Sequence, residues 1–139
     1  MRLEVASLKV LFVCSGNAYR SPVAEALLKK LRPDTKVESA GTDPAIPVSE
    51  EAKKYLAREN ANQYLKKTPE GLVGKQLDKY DLIVAMKQRH KEAILNKCPQ
   101  CSDKIIVWNI TDPYFLPHGH TEEIFKQIKD KVSELAHSL

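Results

Sequence analysis

The 139-residue chain predicts a single doubly wound α/β domain: a four-stranded parallel sheet with helices on both faces. Three observations carry this prediction. Within 9–13 and 81–86 every residue after the opening Lys9 and Asp81 is apolar, leaving no polar side to offer water, as strands buried on both faces require. Segments with helical spacing follow the apolar runs, so strand and helix alternate along the chain. No repeat, low-complexity stretch or linker interrupts that alternation, so residues 1–139 are expected to form one domain with right-handed crossovers. Residues 1–7 precede the first strand as an N-terminal arm or an extra edge contact.

The first strand, 9–13, leads through a loop to a helix. Ser21 is its expected N-cap and Pro22 its first helical position. Ala24, Leu27, Leu28 and Leu31 form its buried stripe, and Arg32-Pro33-Asp34 ends it. A second strand around 36–39 runs into Ala40-Gly41-Thr42 and a proline-punctuated loop. Ser49, Glu50 and Glu51 then open a helix that turns Ala52, Tyr55 and Leu56 inward. Residues 60–79 carry no legible period. After strand 81–86 come a lysine-rich helix to about Lys97, a turn at Cys98-Pro99-Gln100-Cys101 and a strand over 105–108. Two prolines make 111–117 a loop. The last helix starts at Thr121, with Glu122 and Glu123 in its first turn and Ile124, Phe125, Ile128, Val132 and Leu135 along one side.

Composition narrows the partners. Lys+Arg 22 against Asp+Glu 18 gives a net charge of +4. The lysine pairs 29–30, 53–54 and 66–67 are scattered, which fits solvated helix faces and not a nucleic-acid surface. The apolar run 8–14 is too short to span a membrane and has no signal-peptide cleavage pattern. A cytoplasmic location follows, with no nucleic-acid or membrane partner, and Cys14, Cys98 and Cys101 are expected as reduced thiols.

In an open α/β sheet, ligands bind beyond the carboxyl ends of the strands, and the first strand-to-helix loop is the usual cradle. Here that loop reads Cys14-Ser15-Gly16-Asn17-Ala18-Tyr19-Arg20-Ser21. Gly16 permits a tight turn, the amides of residues 15–20 can converge as a nest, and the helix dipole adds positive charge. Arg20 presents a planar fork to two oxygens at once. A tetrahedral oxyanion fits such a site. The same field favours the thiolate of a cysteine placed there, with Ser21 as a hydrogen-bond donor to it. Taken singly, Cys14 reads as a core residue. Strand, Cys, five residues, Arg, Ser and a Pro-started helix together do not read as packing. The absence of Gly-Lys-Ser/Thr excludes a Walker-type nucleotide loop.

The stretch Cys14–Pro22 resembles the phosphate-binding loop of the low-molecular-weight protein tyrosine phosphatases. The similarity continues in order through Ser39–Thr42, Asp81–Met86 with His90, and Asp112-Pro113-Tyr114. The resemblance implies strand order 2-1-3-4 and a cysteine-dependent phosphatase that hydrolyses phosphotyrosine or other aryl phosphate monoesters through a phosphocysteine. On that resemblance Cys14 is the nucleophile, and Ser15, Gly16, Asn17, Ala18, Tyr19, Arg20 and Ser21 hold the phosphate. Asp112 is the acid that protonates the leaving oxygen and then the base that activates water; by itself an Asp-Pro pair is more often a turn. Asn17 matches the family asparagine that shapes the loop, and is equally a residue tolerant of left-handed backbone angles. Ile46, Tyr114 and Phe115 wall the cleft. The expected partner is a phosphotyrosine-containing protein or a small aryl phosphate, acted on by a monomer or weak dimer with no metal or other cofactor. Many family members carry a second cysteine where this chain has Tyr19, so the loop lacks the disulfide that would shield its nucleophile.

Arsenate is also a tetrahedral oxyanion, and the thioredoxin-coupled arsenate reductases resemble the phosphatases in fold and loop. Their relay needs two further thiols, and Cys98 and Cys101 are the available pair. They precede the fourth strand, however; about five residues at about 3.3 Å each set them roughly 15 Å from the catalytic edge. Where the relay of that family begins, this chain has Met86-Lys87. A disulfide across the turn, an exposed thiol pair or half a metal site are the other readings of Cys98 and Cys101. His118 and His120 belong to the opposite edge and do not complete such a site. A module that binds phosphate without turnover would need neither Cys14 nor Asp112.

Overall fold

The apolar runs become neighbouring strands. In the computed structural model, which describes residues 8–116 and 121–139, β1 (Lys9–Cys14) lies between β2 (Lys36–Gly41) and β3 (Leu82–Ala85), and β4 (Ile105–Val107) completes the order 2-1-3-4. All pairings are parallel. Val13 stands opposite Ala40 and Ala85, and Ala85 opposite Val107, so the carboxyl ends of the four strands come level at one edge.

Val10, Leu11, Phe12 and Val13 expose no surface, as their unbroken apolar run predicts. Alternate side chains feed two separate cores. Val10, Phe12 and Cys14 pack against α1 (Arg20–Leu31), α2 (Glu50–Arg58) and α4 (Thr121–Ser138) through Leu27, Leu56, Ile128 and Val132. Leu11 and Val13 face the other way, to Ile83, Ile105 and Ile94 of α3 (Gln88–Lys97). Helices therefore cover both faces, and among the described residues none is long and apolar enough to cross a membrane.

Several local expectations are corrected. Helix α1 starts at Arg20, with Tyr19 at its N-cap position and no side-chain cap. Ser21 cannot cap because its hydroxyl is engaged with the Cys14 sulfur, 3.0 Å away. Pro22 falls third in the helix, still among the amides that lack an intrahelical acceptor, and so is tolerated. Leu31 is 49% exposed because the helix is buried almost all round only as far as Leu28, with Val23 and Ala26 sharing the buried side. Ser49 does cap α2, accepting the Ala52 amide at 3.3 Å. Residues 60–79 contain three single 3-10 turns, Asn62–Tyr64, Leu72–Gly74 and Leu77–Lys79, too short for any period to register. Lys66 lies there rather than on a helix, and its side chain is only 8% exposed, unlike a solvated lysine.

The loop at 111–116 winds one 3-10 turn, Pro113–Phe115, whose Tyr114 amide donates to the capping Asp112 side chain. Cys98 and Cys101 are joined as a disulfide with Cα atoms 5.4 Å apart, both buried against Ile94 and Ile105, so this pair departs from the expected free thiols. The arm at 1–7 and His118 and His120 lie outside the described residues.

Candidate active site

Cys14 ends β1 at the carboxyl edge, opposite Gly41 of β2, and is 2% exposed. The loop that follows is held from behind. The carbonyls of Cys14, Ser15 and Ala18 accept the amides of Thr42, Asp43 and Ser49 at 3.0, 2.8 and 2.9 Å. Across a trans peptide the next N–H points opposite the carbonyl, so the amides of Ser15, Gly16 and Tyr19 face away from the 42–49 segment. Among the described residues the N–H groups of Ser15 through Arg20 donate to no protein oxygen. Such a row of uncommitted donors at the start of a helix attracts an anion.

The backbone reverses at Asn17, whose φ is 53°, and not at Gly16. A Cβ on Gly16 would meet nothing nearer than Ala18 Cβ at 3.8 Å, so the turn makes no demand for glycine there. The demand falls on Gly41, where a Cβ would lie 2.5 Å from the Ser15 carbonyl oxygen and 2.8 Å from the Asn17 nitrogen. Both readings of Asn17 hold together, since its backbone is left-handed and its side chain is tied into the loop. Its Nδ2 donates to Ser21 Oγ at 2.8 Å and to Ser39 Oγ at 2.9 Å. Ser21 Oγ, already accepting from Asn17, is free to donate its own proton to Cys14 Sγ.

Arg20 is 2% exposed, unusual for an arginine without a task. Its Nη1 donates to the Ile110 carbonyl at 3.0 Å, while Nη2 lies 3.4 Å from both Ser15 Oγ and Asp112 Oδ2. Burial pulls its pKa below the usual arginine value, and the neighbouring Cys14 and Asp112 pull it back up. Asp112 is anchored on its other side, Oδ1 accepting the Tyr114 amide at 3.1 Å. The turn-forming role of the Asp-Pro pair and its place at the strand edge are thus realised at once.

Cys14, Ser15, Gly16, Ala18, Tyr19 and Arg20 line a cleft of about 190 Å³ whose further walls are Asp43, Ala45, Ile46, Asp112 and Tyr114. Ile46 and Tyr114 stand at its mouth, 45% and 54% exposed. Tyr19 contributes backbone to the loop, but its hydroxyl turns to α4 and donates to the Thr121 carbonyl at 2.7 Å. Larger in volume, at about 620 Å³, is a groove between α2 and α4, in which Arg58 pairs with Glu122 and Lys129 with Glu59. It has no part in the thiol cleft.

Three contributors were not read from the sequence as site residues. His90, 1% exposed, hydrogen-bonds Ser15 Oγ through Nε2 at 2.8 Å, and Ser39, also 1% exposed, receives Asn17. Lys66 reaches Asn17 Oδ1 at 2.7 Å. A serine buried at the carboxyl end of a strand was the available signal for Ser39; nothing near Lys66 marks it.

This strand, thiol loop and helix on a 2-1-3-4 parallel sheet define a cysteine-dependent phosphatase, a hydrolase. The chain belongs to the low molecular weight phosphotyrosine protein phosphatase family, whose model matches residues 9–139. It is 36% identical over 121 residues to the low molecular weight protein-tyrosine-phosphatase Wzb of Escherichia coli K12, covering 76% of this chain and 77% of that protein. It is 29% identical over 150 residues to a protein-arginine-phosphatase of Bacillus subtilis, covering 94% and 93%. Among solved structures, Vibrio vulnificus Wzb in complex with benzylphosphonate superposes with a TM-score of 0.83 at 28% identity, over 95% of this chain and 99% of that one. The arsenate reductase alternative is not favoured. Cys98 and Cys101 are bonded to each other within the core opposite the one that holds Cys14.

Proposed function

We propose that the chain, as one domain over residues 1–139, hydrolyses aryl phosphate monoesters, either phosphotyrosine in a protein or a small aryl phosphate, and that Cys14, Arg20 and Asp112 carry the reaction. The observation that supports this most directly is the cleft lined together by Cys14, Arg20 and Asp112, with the Arg20 guanidinium 3.4 Å from the Asp112 carboxyl. The Cys14 thiolate attacks phosphorus in line. An S–P bond forms, the P–O bond to the aryl group breaks, and Asp112 gives its proton to the departing oxygen. Water then attacks the phosphocysteine, Asp112 takes the proton, and the S–P bond breaks to release inorganic phosphate. Ser21 Oγ, 3.0 Å from the sulfur, stabilises the thiolate before attack and again as it leaves. The loop amides from Ser15 to Ser21, shaped by Asn17, and the Arg20 fork bind the equatorial oxygens through both steps.

Ile46 and Tyr114 give the mouth an apolar lining suited to a flat ring, with Phe115 assigned to the same wall by sequence. The expected oligomeric state is monomer or weak dimer, and the expected location is the cytoplasm, where the Cys14 nucleophile stays reduced. Hydrolysis of p-nitrophenyl phosphate by the purified chain, beside a thioredoxin-coupled arsenate reduction assay, tests the reading. Cys14→Ser is expected to abolish hydrolysis, and arsenate reduction is expected to be absent; unimpaired turnover by the variant overturns the mechanism. Phosphotyrosine and phosphoarginine peptides assayed in parallel decide the substrate class, with the tyrosine ester expected to be preferred.

A further inference from the structure

We propose that Lys66 is a positioning residue for the phosphatase reaction, fixing through Asn17 the direction in which Ser21 offers its proton to the Cys14 sulfur. Its ammonium is almost fully buried and surrounded by acceptors: Asn17 Oδ1 at 2.7 Å, the Ser39 carbonyl at 2.9 Å, Ser39 Oγ at 3.3 Å and the Glu70 carboxylate at 3.0 Å. A lysine withdrawn from water needs an anion and a full set of acceptors, and Glu70 with Ser39 and Asn17 supply them.

The consequence lies in the Asn17 amide. A primary amide can present either end, and its orientation follows from its neighbours. Here Oδ1 receives two donors, the Lys66 ammonium and the Glu70 backbone N–H at 2.8 Å. Nδ2 is thereby turned to Ser21 Oγ and Ser39 Oγ. Ser39 passes its own proton to Glu25 Oε1 at 2.5 Å, so it is left to accept from Asn17. Ser21, accepting from the same amide, directs its proton at Cys14 Sγ at 3.0 Å in preference to the Ala40 carbonyl at 3.5 Å. The buried cation, together with the Glu70 N–H, thus heads a chain of three hydrogen bonds that ends on the nucleophile. The Asn17 that the cation contacts is also the residue whose left-handed backbone bends the loop.

Lys75 provides the contrast. It shares Glu70 with Lys66 and also pairs with Glu38, at 2.8 Å each, but its ammonium bonds these carboxylates and not Asn17 or Ser39. The test compares wild type with Lys66→Met, Lys66→Gln, Lys66→Arg and Lys75→Met in the whole chain. Three quantities are read: kcat and KM for p-nitrophenyl phosphate, the rate of Cys14 alkylation by iodoacetate at pH 6, and the thermal midpoint. Loss of a charge-assisted hydrogen bond predicts that Lys66→Met lowers kcat by about tenfold and slows alkylation by about as much, with KM changed less than about threefold. Lys66→Arg restores most of both. Lys75→Met costs thermal stability but leaves kcat and alkylation within about twofold of wild type.

If Lys66→Met does not fold, Lys66→Gln against Lys66→Arg gives the same comparison. A folded neutral variant that matches wild type in both rates overturns the proposal, as does a Lys75→Met variant that loses both rates as far as the Lys66 variant does. The proposal rests on the phosphatase reading for its kcat arm. Alkylation reads the sulfur without turnover, so a wild type inactive on aryl phosphate would sink that reading while the alkylation series still decides the role of Lys66.

Discussion

The imidazole of His90 is a donor to Ser15. Its Nδ1 accepts the Lys87 amide at 3.0 Å, so in the neutral ring the proton sits on Nε2, 2.8 Å from Ser15 Oγ. Burial, reinforced by the positive charges of Arg20 and Arg89, lowers the pKa of this ring from 6.5 to about 3. The folded chain therefore refuses a proton that the unfolded chain accepts.

Stability should consequently fall as pH drops from about 6.5 towards 3, with this one group contributing a slope of at most about 1.4 kcal/mol per pH unit. Above that window His90 is neutral in both states and adds no slope. Denaturant unfolding of wild type and His90→Gln at pH 4.5 and pH 7.5 checks this. The variant is expected to be weaker at pH 7.5, because the Ser15 hydroxyl loses its shortest hydrogen bond, yet to lose less on acidification. An unchanged pH dependence would remove His90 as the source.

Gly41 defines the clearance between β2 and the loop. A Cβ there would press on the Ser15 carbonyl and the Asn17 nitrogen, both of them backbone, at 2.5 and 2.8 Å. No side-chain rotation relieves the clash, so Gly41→Ala must displace the loop that carries the amide row. We expect a stability loss of about 1–3 kcal/mol and a fall in aryl phosphate turnover larger than that loss explains. Gly16→Ala, which meets only ordinary contact distances, should change stability by less than about 0.5 kcal/mol. Thermal unfolding of the two variants with turnover of the first makes the comparison, and equal stability losses would show that Gly41 is not the tight point.

What was legible in the sequence follows from how local each signal is. Strand β1 and the loop after it could be read because burial on both faces leaves an unbroken apolar run and because Cys14, Arg20 and Ser21 lie within eight residues of one another. Asp112 needed topology as well, since only strand order brings residue 112 beside residue 20. Ser21 was misplaced as a cap because an N-cap serine and a serine aimed at sulfur look identical in sequence. The glycine that matters, Gly41, is made necessary by a neighbouring strand, so Gly16 took the credit. Lys66 had no signal at all. It sits among short 3-10 turns, beside an exposed lysine, and its burial depends on contacts with residues 17 and 39.

Asp112 is held from two sides, by the Tyr114 amide at 3.1 Å and the Arg20 guanidinium at 3.4 Å. In the acid role proposed for Asp112, its removal should matter in proportion to how badly the leaving oxygen needs a proton. Asp112→Ala is therefore expected to slow phenyl phosphate hydrolysis by about a hundredfold or more, but hydrolysis of a dinitrophenyl phosphate far less. Vanadate inhibition, which reports the cradle, should change little by comparison. Steady-state rates on the two esters are the measurement, and equal losses on both would take Asp112 out of the acid role.

Cys14 is the free cysteine of the chain, because Cys98 and Cys101 are bonded to each other across a turn in the opposite core. The position that could have held a resolving thiol in the loop is Tyr19, whose buried hydroxyl instead fastens the loop to the first turn of α4 through the Thr121 carbonyl. Peroxide would convert Cys14 to a sulfenic acid with no neighbouring thiol to trap it, and further peroxide would carry it on to the sulfinic acid, which thiols do not reduce. Inactivation by peroxide should therefore be only partly reversed by dithiothreitol, with recovery falling as exposure lengthens. Mass spectrometry of the inactivated protein should find oxygen added at Cys14 and the Cys98–Cys101 bond intact. Rapid full recovery, with a disulfide from Cys14 to Cys98 or Cys101, would show that the turn reaches Cys14 and would reopen the relay chemistry that the separation of the two cores argues against.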